Sequence, residues 1–278
     1  MISKNYIVWY NYCMKTYCLI TGATGGLGNA FAKQLVDQHN LILTGTKQER
    51  IEAFKSELLK INPNCNIVCK ACNFKDMTSR QEFYDFVKTN KLHIDMLINN
   101  AGLMTEGDIL SAPSETLLDA IKINCEATVE LTKFVLDTHK KGDKLDILTV
   151  SSFSGFNPIP HMAVYSATKS FLYSFFYGLH HEVKKQGIKV SVAMPSGIYT
   201  TAEMKKAIAS QGLGGKLSSM SPEKIAKISL KGLAKNKKII IPGFFNKLTY
   251  FVCKIMPTSI VVSYTDKRWQ KSQSKRGM

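Results

Sequence analysis

The stretch "TYCLITGATGGLGNAFAKQLV", residues 16–36, runs a strand-like segment straight into a glycine-rich turn and on into an amphipathic helix. The turn, "TGATGGLG" (21–28), carries Gly22, Gly26 and Gly28 in a GxxxGxG spacing, where GxGxxG is commoner. Glycines at these places permit the turn, let the backbone approach a phosphate and let the helix pack closely on the sheet. N–H groups at the start of the helix then face the anion. Alone, such a turn would be only a tight connection. Between a strand and a helix it predicts dinucleotide binding.

Working outward, apolar segments "LILTG", "NIVCKA", "IDMLINN", "LDILTVS", "KVSVAMP" and "KIIIPG" alternate with helical patterns. The helices are expected over 26–38, 48–60, 77–90 and 114–140, through the segment carrying "YSATK", and again before the last strand. Strands alternating with long helices imply a doubly wound parallel α/β sheet covered on both faces. Residues 14–243 read as one domain, and 244–278 as a basic amphipathic tail. Because "MKTYCLITGA" from Met14 opens like a complete first strand, residues 1–13 read as a leader or a misassigned start.

Composition narrows the class. A chain of 278 residues, 45% hydrophobic, is long enough for one large domain and at most two. Seven scattered cysteines, an odd number, form no disulfide framework and fit a reducing, cytoplasmic compartment. Cys69 and Cys72 form a CxxC without a second pair, inside a segment that reads as strand, so no metal is expected. No run reaches the roughly 18 apolar residues that a bilayer span requires. The net charge is +16, and residues 201–278 hold 16 Lys or Arg against Glu203, Glu223 and Asp266, which is +13 of it. This asymmetry points to an anionic partner: nucleotide phosphate, membrane surface or nucleic acid. A nucleic-acid groove would interleave cations with exposed aromatics, whereas the tail's aromatics sit on an apolar stripe, so no nucleic acid is expected.

The specificity of the dinucleotide site is read at the end of the second strand, where an acid would bond a ribose hydroxyl and a base would accept a 2′-phosphate. Here "TGTKQER" (44–50) offers Gly45, Thr46 and Lys47, with no acid before Glu49. That leans toward NADP(H) over NAD(H).

In "AVYSATKSF" (163–171), Tyr165 and Lys169 are four residues apart and therefore neighbours on a helix, where a cation can act on the phenol's proton affinity. The alternative is that Tyr165, Leu172, Tyr173 and Phe176 form an apolar face with Lys169 solvated beside it.

"TGATGGLG", "NNAG" (99–102), "IKINCEA" with Asn124, "VSSFSG" with Ser152 and "YSATK" occur in this order. Over residues 16 to about 243 the chain resembles the classical short-chain dehydrogenase/reductase family. The resemblance implies a Rossmann-type fold and hydride transfer between a nicotinamide and a carbonyl or alcohol substrate. By it, Tyr165 is the general acid or base, Lys169 stabilises the phenolate and holds the nicotinamide ribose, Ser152 donates to the developing oxyanion, and Asn124 anchors a relay water. Ser151 is an alternative to Ser152, and Asn124 could instead stitch the sheet. The cofactor site implied comprises Gly22, Thr24, Gly26, Leu27, Gly28, Thr46, Lys47, Asn73, Asn100, Ala101, Gly102, Tyr165, Lys169, Pro195, Gly197 and Thr200. Asn99 is expected to be structural and His161 a pocket wall. Two departures stand out: Asn73 replaces the family's usual Asp at the adenine, and Ser196 replaces the glycine of its Pro-Gly turn, with Gly197 next.

The activity implied is NADP(H)-dependent carbonyl reduction or alcohol oxidation. A 3-oxoacyl-thioester reductase and a non-catalytic nucleotide-sensing or scaffold protein are the alternatives, and a homo-oligomer is expected. The loop after Ser152 and a lid-like segment near 200–216 would set the substrate. In the tail, Phe244, Phe245, Leu248, Phe251, Val252 and Ile255 recur as one helical stripe, with Asn246, Lys247 and Lys254 off it. This stripe is expected to close the substrate site. Its outer contact is either protein, meaning its own domain or a partner subunit, or anionic lipid at a peripheral membrane surface.

Overall fold

The computed structural model describes residues 15–200, 208–209 and 212–274; the leader and most of the lid-like segment lie outside these. The first half comprises β1 (Thr16–Thr21), α1 (Gly26–Leu35), β2 (Asn40–Thr44), α2 (Gln48–Ile61), β3 (Ile67–Cys69), α3 (Met77–Thr89) and β4 (His93–Asn99). After it come α4 (Ser114–Ile121), α5 (Ala127–Thr138), β5 (Asp146–Val150), α6 (Ala163–Val183) and β6 (Lys189–Ala193). The chain continues through α7 (Gly212–Ser218), α8 (Pro222–Ala234), β7 (Ile239–Ile240), α9 (Phe244–Ile255) and α10 (Thr258–Ser274).

Among the described residues seven strands form one sheet, all parallel, in the order β3-β2-β1-β4-β5-β6-β7. The apolar runs follow from this, because a strand covered on both faces has no solvent side on which to alternate polar residues. In β1, Cys18 and Ile20 enter one apolar layer with Phe31, Ile51, Phe54 and Ile225. Tyr17 and Leu19 enter the other, with Phe83, Phe134, Leu172 and Phe176. Thus α1, α2 and α8 cover one face, and α3, α5 and α6 the other. Phe31 and Phe176 are wholly buried, and truncating either to alanine should cost about 3–5 kcal/mol. The strand order reverses between β1 and β4, and beyond the carboxyl ends at such a switch point ligands bind in open α/β sheets.

Three expectations need correction. The helix expected over 114–140 is not a single α-helix: Lys122–Glu126 form a π-turn between α4 and α5, a bulge frequent at functional sites. Fully buried Arg80 pairs with Glu126 and Glu130, tying α3 to the end of that turn. Helix α1 ends at Leu35, whose carbonyl takes the amides of Gln38 and His39 and so turns the chain. The edge strand β3 has three residues, so Cys69 ends a strand while Cys72 lies beyond it, buried.

In the tail, the helical stripe forms but faces away from the domain. Phe244, Leu248, Phe251 and Ile255 are 84%, 54%, 65% and 85% exposed. The off-stripe residue Asn246 is the buried one, donating to the carbonyls of Pro242 and Ser218 at 2.7 and 2.9 Å. Tyr250, one turn along, packs on Phe156 with ring centroids 4.4 Å apart. The reading that the stripe packs on its own domain is therefore overturned: the two Asn246 hydrogen bonds and the Tyr250 ring contact seat the helix by the side opposite the stripe.

Candidate active site

The glycine turn is built as its sequence requires. Gly22 has φ of +61°, which a side chain seldom tolerates. A Cβ on Gly28 would lie 2.2 Å from the Gly22 carbonyl oxygen, so α1 can approach β1 only with glycine there. Asn100 donates from its side chain to the carbonyls of Thr21 and Gly22 at 2.9 and 3.1 Å. Its amide is thus occupied in holding the turn. Thr24, Gly25 and Gly26 are exposed at the start of α1, while the Leu27 side chain is in the core, leaving only its backbone to meet a ligand. Thr46 and Lys47 are exposed at the end of β2, and the Thr24 hydroxyl lies 3.5 Å from the Cβ position of Gly45. An anion at this helix N-terminus would meet free N–H groups and the positive end of the helix dipole.

Across the crevice, Asn99 donates to the Thr132 and Thr149 hydroxyls and stitches the sheet, as expected. The Ala101 amide donates to the Thr21 hydroxyl. Exposed Gly102 has, 3.3 Å from its Cβ position, the Lys169 ammonium. Half-buried Asn73 follows β3 and is held by its amide on the Ser79 hydroxyl. Buried Pro195 accepts from the amide of Phe153, and Gly197 accepts from Met220, pairing these two segments. Exposed Thr200 sits over the glycine turn, its methyl 2.6 Å from the Cβ position of Gly26. These residues fit a dinucleotide: an open helix N-terminus, a backbone stripped of side chains, and a cation deep in the crevice.

The other candidate side chains converge where β5 ends. Ser151 is buried and donates to the Lys169 carbonyl at 2.7 Å, which removes it as a free hydroxyl. Ser152 is half-buried, accepts from the amide of Ser154, and bonds to the Tyr165 hydroxyl. Lys169 is 4% exposed, so it is not a solvated neighbour of an apolar face; its ammonium donates to the Val150 carbonyl at 3.1 Å. Leu172 and Phe176, one and two turns on, are core, so α6 serves packing and site together.

Electrostatics correct one expectation. Lys169 does not pull the Tyr165 phenol down here: its ammonium is 5.7 Å from the ring centroid. Burial instead raises Tyr165 above the ordinary tyrosine range, with the Ser152 hydrogen bond acting the other way. Burial also lowers Lys169 to about 8. Both shifts have one cause, since a low-dielectric site penalises the charged form of each group.

Asn124 lies in the π-turn, wholly buried, and its side chain is engaged three ways. It accepts from the Leu103 amide and donates to the Leu103 carbonyl and the Thr168 hydroxyl, at 2.8, 2.9 and 2.9 Å. With both amide protons spent, it joins the segment after "NNAG" to α6. Thr168 and Gly155 were not singled out from sequence. Thr168 donates to the Tyr165 carbonyl, and a Cβ on Gly155 would lie 2.7 Å from the Lys169 backbone. They belong to "YSATK" and "VSSFSG", but the contacts that give them a role exist only in the fold.

The family model for short chain dehydrogenase matches residues 16–211. The chain belongs to the short-chain dehydrogenase family and is an oxidoreductase of the hydride-transfer type, acting on CH–OH or carbonyl groups with NAD(P). Among curated proteins it is 30% identical over 225 residues to the uncharacterized oxidoreductase DltE of Bacillus subtilis, covering 80% of this chain and 86% of that one. It is 32% identical to the very-long-chain 3-oxoacyl-CoA reductase of Coccidioides immitis, over 68% of this chain but 55% of the relative's length. The fold is shared with a 7beta-hydroxysteroid dehydrogenase, TM-score 0.81 at 20% identity, over 90% of this chain and 96% of that one. It is also shared with a short-chain dehydrogenase from Sphingobium yanoikuyae in complex with NADPH, TM-score 0.72 at 22% identity, over 87% and 96%.

Proposed function

We propose that this chain reduces a hydrophobic ketone or aldehyde, or oxidises the matching alcohol, with NADP(H) preferred over NAD(H). The observation that carries the reading is the convergence of Ser152, Tyr165 and buried Lys169 at the carboxyl end of β5, with Gly102 against the Lys169 ammonium. When bound, the nicotinamide supplies the hydride or receives it. Tyr165 gives its proton to the carbonyl oxygen during reduction and takes it back from the alcohol in reverse. Ser152 donates to the oxygen as charge develops there and orients the phenol. Lys169, its ammonium against Gly102, would meet the ribose there and brings a positive charge into the same low-dielectric crevice. Asn124 holds the Leu103 segment against α6, so the crevice keeps its width when ligands enter.

The NADP(H) preference rests on exposed Thr46 and Lys47, with no acid before Glu49. A 3-oxoacyl thioester is the second substrate reading, favoured by the likeness to the Coccidioides reductase and by the basic C-terminal part, which suits an anionic carrier. NADPH oxidation against ketones, aldehydes and acyl thioesters of graded chain length tests both; no turnover with any of them counts against the reading.

We infer two partners as well. A second copy fits the exposed apolar residues Leu118, Ile121 and Phe171, the last two lining one groove with Cys125 and Val129. An anionic membrane surface fits α9, whose outward stripe is flanked by Lys247 and Lys254. Among the described residues no helix is long and apolar enough to cross a membrane. The location proposed is cytoplasmic, peripheral at the membrane.

A further inference from the structure

His161 stands four residues before Tyr165, in the segment that joins Ser152 to α6, with φ of +61°. Residues with a Cβ seldom hold that conformation unless the surroundings impose it. Here three contacts do. Its carbonyl accepts from the Gly107 amide at 2.8 Å. Its ring nitrogen Nε2 lies 3.0 Å from the Asp266 carboxylate of α10. The ring also stacks on Trp269, one turn further along α10, with centroids 3.8 Å apart and planes 10° from parallel. Trp269 then donates from its indole nitrogen to Glu106 at 3.2 Å.

The His161 ring and backbone carbonyl, together with the Trp269 indole, therefore join three segments that are remote in sequence. The first follows Gly102 and is anchored by Asn124 on Leu103. The second runs from Ser152 into α6. The third is the last helix, more than a hundred residues downstream. The first two flank the crevice, and the third spans them from outside, fastened to each.

We propose that His161 is a positioning residue that clamps α10 across the two loops, making α10 a wall of the substrate site that sets how long a carbonyl compound can bind. The proposal rests on the reading of Ser152, Tyr165 and Lys169 as the reacting centre. The occupant it implies is the distal, apolar end of the substrate, since the reacting end is fixed at Tyr165.

The test uses the full chain with Trp269→Leu, Trp269→Phe and His161→Asn, the last chosen because asparagine tolerates positive φ. Amide hydrogen exchange should rise about tenfold in residues 103–108 and 157–162 for Trp269→Leu. Trp269→Phe keeps the stacking but lacks the bond to Glu106, so it should loosen only residues 103–108. In turnover with NADPH, Trp269→Leu and His161→Asn should raise the KM for decan-2-one about tenfold. In the same variants kcat/KM for butan-2-one and the Kd for NADPH should stay within about twofold. Unchanged exchange in either loop for Trp269→Leu overturns the clamp. Equal changes for the two ketones overturn the role in substrate length and leave a merely structural contact. Wild-type protein inert toward every carbonyl compound defeats the reductase reading instead, and the exchange measurement still decides whether α10 is clamped.

Discussion

Ser151 and Lys169 are locked to one another at the end of the sheet: the serine hydroxyl donates to the Lys169 carbonyl at 2.7 Å, and the lysine's ammonium reaches back to the Val150 carbonyl at 3.1 Å. The cation is thereby held inside the protein with few partners, and its lowered proton affinity follows.

A pH dependence of stability follows from that burial. Lys169 binds its proton less tightly folded (about 8) than unfolded (10.5), so between those values the unfolded chain carries more protons and stability rises with pH. Below about 8 both states carry the proton and the full burial penalty falls on the folded state; Tyr165, shifted upward, opposes the trend only above 10. Urea unfolding without cofactor should show about 2 kcal/mol more stability at about pH 9.5 than at about pH 7.5 from this group. Lys169→Met should lack that gain, and a variant with the same slope as wild type would show that the lysine is not the source.

Tyr165→Phe keeps the ring and its packing but removes the proton donor. Turnover should fall roughly 10²- to 10⁴-fold while NADPH binding, followed by fluorescence, persists. Turnover within about threefold of wild type contradicts the assignment.

Lys47→Glu replaces a cation at the end of β2 with the acid that bonds a ribose hydroxyl in NAD-specific sites. Wild type should bind NADPH more tightly than NADH, and the variant should narrow or reverse the gap. Equal binding of the two cofactors by wild type removes the basis for the preference.

Two glycines give opposite expectations. In Gly28→Ala the new methyl meets the Gly22 carbonyl at 2.2 Å and the Asn100 amide at 2.8 Å, so the turn must shift. The variant should lose roughly 1–3 kcal/mol together with cofactor affinity. Gly178 lies inside α6 with nothing within 4 Å of its Cβ position. Gly178→Ala should gain about 0.5–1 kcal/mol, read as a higher Tm.

Vesicle co-sedimentation separates the occupants of α9. The membrane reading requires binding to mixed phosphatidylserine and phosphatidylcholine vesicles at low salt, weakening as salt rises, and lost in Leu248→Asp/Phe251→Asp. If intact protein stays in the supernatant while the same double variant turns an oligomer into a monomer, the stripe belongs to a second copy.

The pattern of elements was legible because it is local. Strands such as "LILTG" announce burial on both faces by being apolar throughout, and glycine, tyrosine and lysine at fixed offsets carry their own chemistry. What failed depended on partners distant in the chain. The π-turn at Lys122–Glu126 is indistinguishable from α-helix in residue spacing. Asn246 and the stripe opposite it looked alike as an amphipathic helix whichever face turned inward.

By itself the sequence determined the alternation of strand and helix, the glycine turn and the helical pairing of Tyr165 with Lys169, since propensity and short-range spacing are properties of neighbouring residues; the roles of Asn124 and Ser152 came from the family resemblance. The tertiary structure decided which of two serines keeps a free hydroxyl, and that burial moves both Tyr165 and Lys169 toward neutrality. It also decided that α9 shows its apolar side to solvent and that His161 meets Asp266 and Trp269. These depend on dielectric surroundings and on contacts across more than a hundred residues, and neither exists until the chain has closed on itself.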